Sequence, residues 1–222
     1  MTYILNIETS TRNCSISIAL NGKTIAVKEV AEIGFSHAEK LHVFFDEILA
    51  ENNLSFKDLS AIAVSQGPGS YTGLRIGVSA AKGLCYALDI PLIAVETLET
   101  LAKQINISDG VILPMIDARR MECYTAIYDS NYNKIREIKA EIIDENSYSD
   151  TLGNIYLIGD GASKCKDFLK DARFIFNDVI QFPSAVDMCE TSFLKYKKSD
   201  FVDVAYFEPF YLKDFMMTVS SK

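Results

Sequence analysis

Residues 61–66 (AIAVSQ) run directly into Gly67-Pro68-Gly69-Ser70-Tyr71-Thr72-Gly73 and on into Leu74-Arg75-Ile76-Gly77. A short apolar run, a glycine-rich break and a renewed amphipathic stretch read as strand, tight turn and helix. The helix is expected over residues 72–88, with Pro91–Val95 as the next strand. Strands joined through a helix lie parallel, so this one stretch commits the chain to an α/β fold.

What precedes it has a different character. Residues 3–8 (YILNIE) read as a buried strand. Residues 14–20 (CSISIAL) alternate, with Ile16, Ile18 and Leu20 on one side and serines and Ala19 on the other. Asn21-Gly22 is the strongest short hairpin signal and predicts a type I′ turn into a return strand over 23–31. Ser36 with Glu39 forms a capping box, which predicts a helix over 37–51. On a wheel, Ala38, Leu41, Phe44, Phe45, Ile48 and Leu49 span roughly 140°, wider than the stripe of about 100° that a surface helix buries. The first half therefore orders as βββ-αβα.

The second half is read on the same plan. Strands are expected over 111–117, 122–128, 134–143, 155–159 and 173–177, with a short helix over 163–171 and another over 184–197. Ile105–Gly110 is the candidate linker. The expected division is a lobe over 1–104 and a second over 105–204, with 205–222 returning to the first.

Composition removes several classes of function. The net charge is −8, and the acidic excess is shared by both halves, so a free-standing protein that grips nucleic-acid backbone is not expected. The five cysteines (Cys14, Cys85, Cys123, Cys165, Cys189) are odd in number and contain no CxxC, which reads as reduced thiols in the cytoplasm. The first residues lack a basic n-region and meet an acid at Glu8, so no signal peptide is expected. No apolar run is long enough to cross a membrane.

Few residues carry obvious chemistry. The two histidines, His37 and His42, are five apart and cannot share one metal as an i, i+4 pair does. They read as surface and helix-end residues, and no nucleophile elbow accompanies them. The glycine-rich turn sits where a nest of N–H groups could hold an anion, but its spacing fits neither dinucleotide nor P-loop motifs. Close strand–helix packing explains it as well. Glycines at 77 and 83 inside a helix each cost about 1 kcal/mol and need a compensating reason. The face Gly73, Gly77, Ala80, Leu84 suits either the chain's own sheet or another helix. Turns at Glu8-Thr-Ser-Thr-Arg12 and Asp117-Ala-Arg119-Arg120 are places where phosphate or magnesium could be met. The lysines at 164, 166 and 170 and at 195, 197 and 198 read as solvated faces.

Four segments together, Ile7-Glu8-Thr9-Ser10, Gln66-GPGSYTGLRIG-Val78, Ile116-Asp-Ala-Arg-Arg120 and Pro209-Phe-Tyr-Leu-Lys213, resemble the TsaB (YeaZ) family over essentially the whole chain. The resemblance implies an actin-like ATPase-superfamily fold of two RNase-H-like βββ-αβα lobes. It implies a non-catalytic partner of TsaD, with TsaE in the larger complex, in making N6-threonylcarbamoyladenosine at tRNA position 37. The tRNA would be met only through that complex, and the chain would pair with itself as a homodimer when alone. No catalytic residue, metal ligand or cofactor is implied. The partner surface would comprise Leu41, Phe44, Phe45 and Ile48 of one helix with Gly73, Leu74, Gly77, Ala80, Ala81 and Leu84 of the next. Glu8, Thr9, Ser10, Asp117, Gly159 and Gly161 would mark a vestigial nucleotide site. Hydrolysing relatives carry Asp-x-Gly-Thr after strand one, where this chain has Glu8-Thr-Ser-Thr11. A lone actin-fold ATPase or kinase and an M22-type metallopeptidase are the alternatives, disfavoured by those missing glycines and by the histidine spacing.

Overall fold

The computed structural model describes residues 1–31 and 37–213. Strands β1 (Tyr3–Glu8), β2 (Cys14–Leu20) and β3 (Lys23–Val30) form the opening antiparallel meander. Asn21 and Gly22 both have positive φ, 51° and 84°, as the type I′ turn requires. Helix α1 (His37–Glu51) follows; the Ser36 half of its predicted capping box lies outside the described residues. Then come β4 (Leu59–Gly67), α2 (Tyr71–Leu88) and β5 (Leu92–Glu96). Ser70 caps α2 by accepting from the Gly73 N–H, and Asp89 closes it in a left-handed conformation. The sheet order is β3-β2-β1-β4-β5, with β4 and β5 parallel to β1.

The second sheet repeats that order. Strands β6 (Val111–Asp117), β7 (Glu122–Tyr128), β8 (Lys134–Ile142), β9 (Ile155–Ile158) and β10 (Phe174–Phe176) line up as β10-β9-β6-β7-β8. Two mixed five-stranded sheets of identical order are the duplicated α/β plan read from the sequence.

The helices depart from strict repetition. Between β8 and β9 turns replace a helix, and Tyr148 from these turns is buried against the second sheet. The helix expected over 163–171 is only a 3-10 turn at Ser163–Cys165. Cys165 and Leu169 are its buried anchors, and the Asp171 carboxylate accepts from the Arg173 N–H to reverse the chain soon after. Helix α3 (Thr97–Ala102), which the sequence reading passed over, follows β5 with no intervening turn. It packs Leu98, Leu101 and Ala102 on the second sheet with Ile112, Ile116 and Tyr128. The helix expected over 184–197 begins as a 3-10 turn and continues as α4 (Cys189–Lys197). It covers the first sheet, where Met188 and Cys189 meet Ile4, Ala63 and Ile93. The first sheet is thus buried on both faces, by α1 and α2 on one side and by α4 on the other.

The segment after α4 also lies on the first sheet and α2. The Val202 N–H bonds Leu92 O at 3.0 Å and the Phe210 N–H bonds Gln66 O at 2.7 Å. Lys82 donates to the carbonyls of Ala205 and Phe207. At the far end Lys213 pairs with Glu122 of the second sheet, so the strap spans both lobes.

Candidate functional site: a filled phosphate turn and a bare helix face

The glycines of the 67–77 block have specific neighbours. A Cβ on Gly69 would overlap the Ser10 carbonyl, one on Gly73 the Thr9 carbonyl, and one on Gly77 the Thr9 hydroxyl. The contacts that need this closeness are hydrogen bonds. The Ser70 N–H donates to Ser10 O at 2.6 Å, and Thr9 Oγ1 donates to Gly73 O at 2.8 Å. The block therefore seats the start of α2 on the turn after β1, which is the packing role of the two weighed for it.

In this arrangement the start of α2 covers the turn after β1. Glu8, Thr9 and Ser10 are all buried. The Ser10 N–H is used by Glu8 Oε1 at 2.6 Å, and the Asn13 N–H faces Thr11 Oγ1. Glu8 Oε2 and Ser10 Oγ are buried without a hydrogen-bond partner among the described residues. Burial pushes the Glu8 carboxyl above its ordinary range, against the pull of the Ser10 contacts.

The corresponding place in the second half is also internally used. The Gly159 N–H donates to Ile180 O and the Gly161 N–H to Met115 O. The Asp117 N–H donates to Asp160 Oδ1 at 2.9 Å, and Asp117 Oδ1 meets Lys164 Nζ at 2.5 Å. Burial raises the Asp160 carboxyl, opposed in part by nearby Arg12 and Lys164.

The histidines stand apart in role. His37 Nε2 lies 2.8 Å from Thr11 O, whereas His42 is exposed, edge-on to Phe45. No group of three potential metal ligands occurs among the described residues.

The residues of the expected partner surface lie mostly within this chain's own core. Leu41, Phe45 and Ile48 point into the core with Leu49, so the wide apolar stripe of α1 is taken up by its own sheet. Phe44 is half-buried against the same core. On α2, Gly73, Leu74, Gly77 and Ala81 are buried, and Ala80 and Leu84 are half-buried against that core. The reason is the length of the aliphatic face: Leu74, Val78, Ala81 and Cys85 claim the sheet side and take the neighbouring glycines with them.

The outward face is a different set. Thr72, Ser79, Gly83, Tyr86 and Ala87 of α2 are exposed, with Gly83 and Tyr86 on the side that faces Asp203–Ala205 of the strap; His42, Val43 and Asp46 of α1 are exposed as well. Tyr86 is 86% exposed and Val43 48%. A Cβ on Gly83 would meet nothing within 4 Å. The only sequence signal for it was Gly83 itself, a mid-helix glycine that no internal packing explains.

Comparison with known proteins fits these features. A family model described as TsaD: tRNA N6-adenosine threonylcarbamoyltransferase matches residues 31–211. The Escherichia coli protein named tRNA threonylcarbamoyladenosine biosynthesis protein TsaB is 31% identical over 95% of this chain and 94% of its own length. The chain belongs to the TsaB family. The Bacillus subtilis TsaB is 38% identical over 61% of this chain and 58% of its own. The solved structure of YeaZ from Pseudomonas aeruginosa superposes with a TM-score of 0.82 at 22% identity, over 96% of this chain and all of that one, and so shares the TsaB fold.

Between the lobes of this TsaB-family chain, Glu29 Oε2 accepts from Asn13, Ser15 and Ser184. Asp187 nearby is pushed up to about 6 by burial and by the Glu29 charge. A carboxyl held above its unfolded value stabilises the fold most when protonated. Stability is therefore expected to fall as pH rises from about 4 to about 6, by roughly 3 kcal/mol for a shift of this size. Asp187→Asn should flatten that slope in melting temperatures measured across the range; an unchanged slope would assign it to other carboxyls.

Proposed function

We propose that this chain is the non-catalytic partner of TsaD in forming threonylcarbamoyladenosine on tRNA, working in the cytoplasm. The observation that carries the reading is the filled turn after β1. A superfamily member that hydrolyses ATP needs that turn open, and here the GPGSYTG block occupies it through Ser10 and Thr9. The name borne by the E. coli relative supplies the pathway. The TsaE and tRNA contacts belong to the assembled complex, and a two-fold homodimer is the state expected without TsaD.

The exposed face of α2, centred on Gly83 and Ser79, is the docking surface under this reading. Small residues let a partner helix approach closely, and a glycine with open space above it gains a reason to stand mid-helix.

Two measurements test the proposal. Co-elution with TsaD and dependence of threonylcarbamoyl transfer on this chain should both be seen. The double variant His37→Ala, His42→Ala should keep transfer within a few-fold of wild type. A loss of about a thousandfold, the scale of a removed general base or metal, would make the chain a catalytic subunit.

A further inference from the structure

Arg119 and Arg120 form the tip of the β6–β7 hairpin, and both adopt left-handed backbone, with φ of 66° and 55°. Consecutive left-handed residues other than glycine are uncommon and cost free energy, so something must hold them. Lys164 does so. Its ammonium reaches Asp117 Oδ1 at 2.5 Å, Arg120 O at 3.2 Å and Glu122 O at 2.6 Å. Asp117 Oδ1 also accepts from the Arg119 N–H at 2.9 Å. The tip is thus pinned from beneath while both arginine side chains are exposed.

Neither guanidinium has an ion pair or hydrogen bond among the described residues. The nearby charges are spoken for: Lys164 answers Asp117, and Lys213 answers Glu122. The remaining acid, Asp160, bonds the Asp117 N–H, and burial disfavours its charged form. Arg12, exposed on the turn after β1, lies close enough to act on Asp160 and sits 5.8 Å from the Phe182 ring. In a chain of net charge −8 the tip carries two arginines without an ion pair among the described residues, and Arg12 of the other lobe acts on the neighbouring Asp160.

We propose that the Arg119–Arg120 tip, with Arg12, grips the phosphodiester backbone of RNA. Guanidinium forks match phosphate oxygens in bidentate geometry, and a pinned tip presents them with little further loss of backbone freedom. The contact proposed is to phosphate oxygens, which positions the RNA without selecting its sequence. Such a contact is too small to give the isolated chain useful affinity; it adds to a surface that a partner completes. The inference rests on the reading of the chain as a TsaD partner in tRNA modification.

The test uses the complex of this chain with TsaD and an unmodified tRNA transcript, and measures affinity against salt. Arg119→Gln with Arg120→Gln should weaken binding by about tenfold and lower the slope of log affinity against log salt by roughly 1.5, for two lost phosphate contacts. Arg119→Lys with Arg120→Lys should keep most of the slope. Melting temperature and co-elution of the variants with TsaD should equal wild type. An unchanged slope in a fully assembled Gln variant overturns the inference while leaving the partner reading intact. Failure of the wild-type chain to co-elute with TsaD overturns both. Titration with ADP forms the other arm: binding of ADP that the Gln variant loses, with tRNA affinity unaltered, would assign the arginines to a nucleotide instead and reject the RNA contact.

Discussion

Gly77→Leu should destabilise the folded chain by about 3 kcal/mol or more, seen as a melting temperature lowered by roughly 10 °C. The side chain would have to enter space already held by the Thr9 hydroxyl, which donates to Gly73 O. Gly73→Ala should act in the same direction, because its Cβ would overlap the Thr9 carbonyl, a backbone atom that cannot swing aside. The loss should appear in the isolated protein and need no partner. If Gly77→Leu melts like wild type but fails to bind TsaD, then α2 presents this face outward and the packing described above is wrong.

Gly83→Arg should behave in the opposite manner. Nothing lies within 4 Å of its Cβ position, so the fold should survive with its melting temperature within a few degrees of wild type. Under the proposed docking at this face, binding to TsaD should drop by at least a hundredfold, because a long charged side chain at the centre of a close helix contact adds both bulk and an unpaired charge. Gly83→Ala is the companion measurement: it should raise helix stability by up to about 1 kcal/mol while leaving docking only mildly affected. A Gly83→Arg protein that is folded and binds TsaD at wild-type strength would move the docking surface elsewhere.

The two glycines are six residues apart in one helix and look alike in sequence. Their difference depends on Thr9, which is 68 residues from Gly77 along the chain. A periodicity argument locates a small face but does not say which of two small faces meets the sheet. In α2 the long aliphatics at 74 and 78 and the thiol at 85 decide this, and weighting the face by side-chain size rather than by glycine spacing gives the observed side. The wide stripe of α1 was misleading for a related reason. A helix that packs on both a sheet and a neighbouring helix buries more than a lone surface helix does, so Phe44 and Leu41 need no outside partner.

Local signals fared better where the responsible residues were adjacent. Asn21-Gly22 fixed the first hairpin, and the bounds of α1 and α2 agree with expectation to within a residue. The duplicated strand order was legible because each strand carries its own apolar run. The helix over 184–197 was legible too, but α3 was not, and the placement of neither was, because α3 and α4 each pack on the sheet built mainly by the other half of the sequence. The filled phosphate turn was likewise hidden. Absent glycines at Glu8-Thr-Ser-Thr11 bear on hydrolysis, but only the Ser70–Ser10 bond shows that α2 packs on this turn.

The strap from Val202 to Lys213 bears on how the chain is made. Translation delivers β4, α2 and β5 long before the residues that cover them, so the free edge of β5 at Leu92 and the Gln66 carbonyl meet water until Val202 and Phe210 leave the ribosome. For about half of its synthesis the first sheet also lacks α4, its second cover. A nascent chain in this state presents an open sheet edge and a bare apolar face, the combination that chaperones recognise and that drives association between neighbouring chains. Ribosome pausing or premature termination between residues 100 and 185 should therefore be far more damaging to the yield of this protein than the same event in a chain whose lobes close in order.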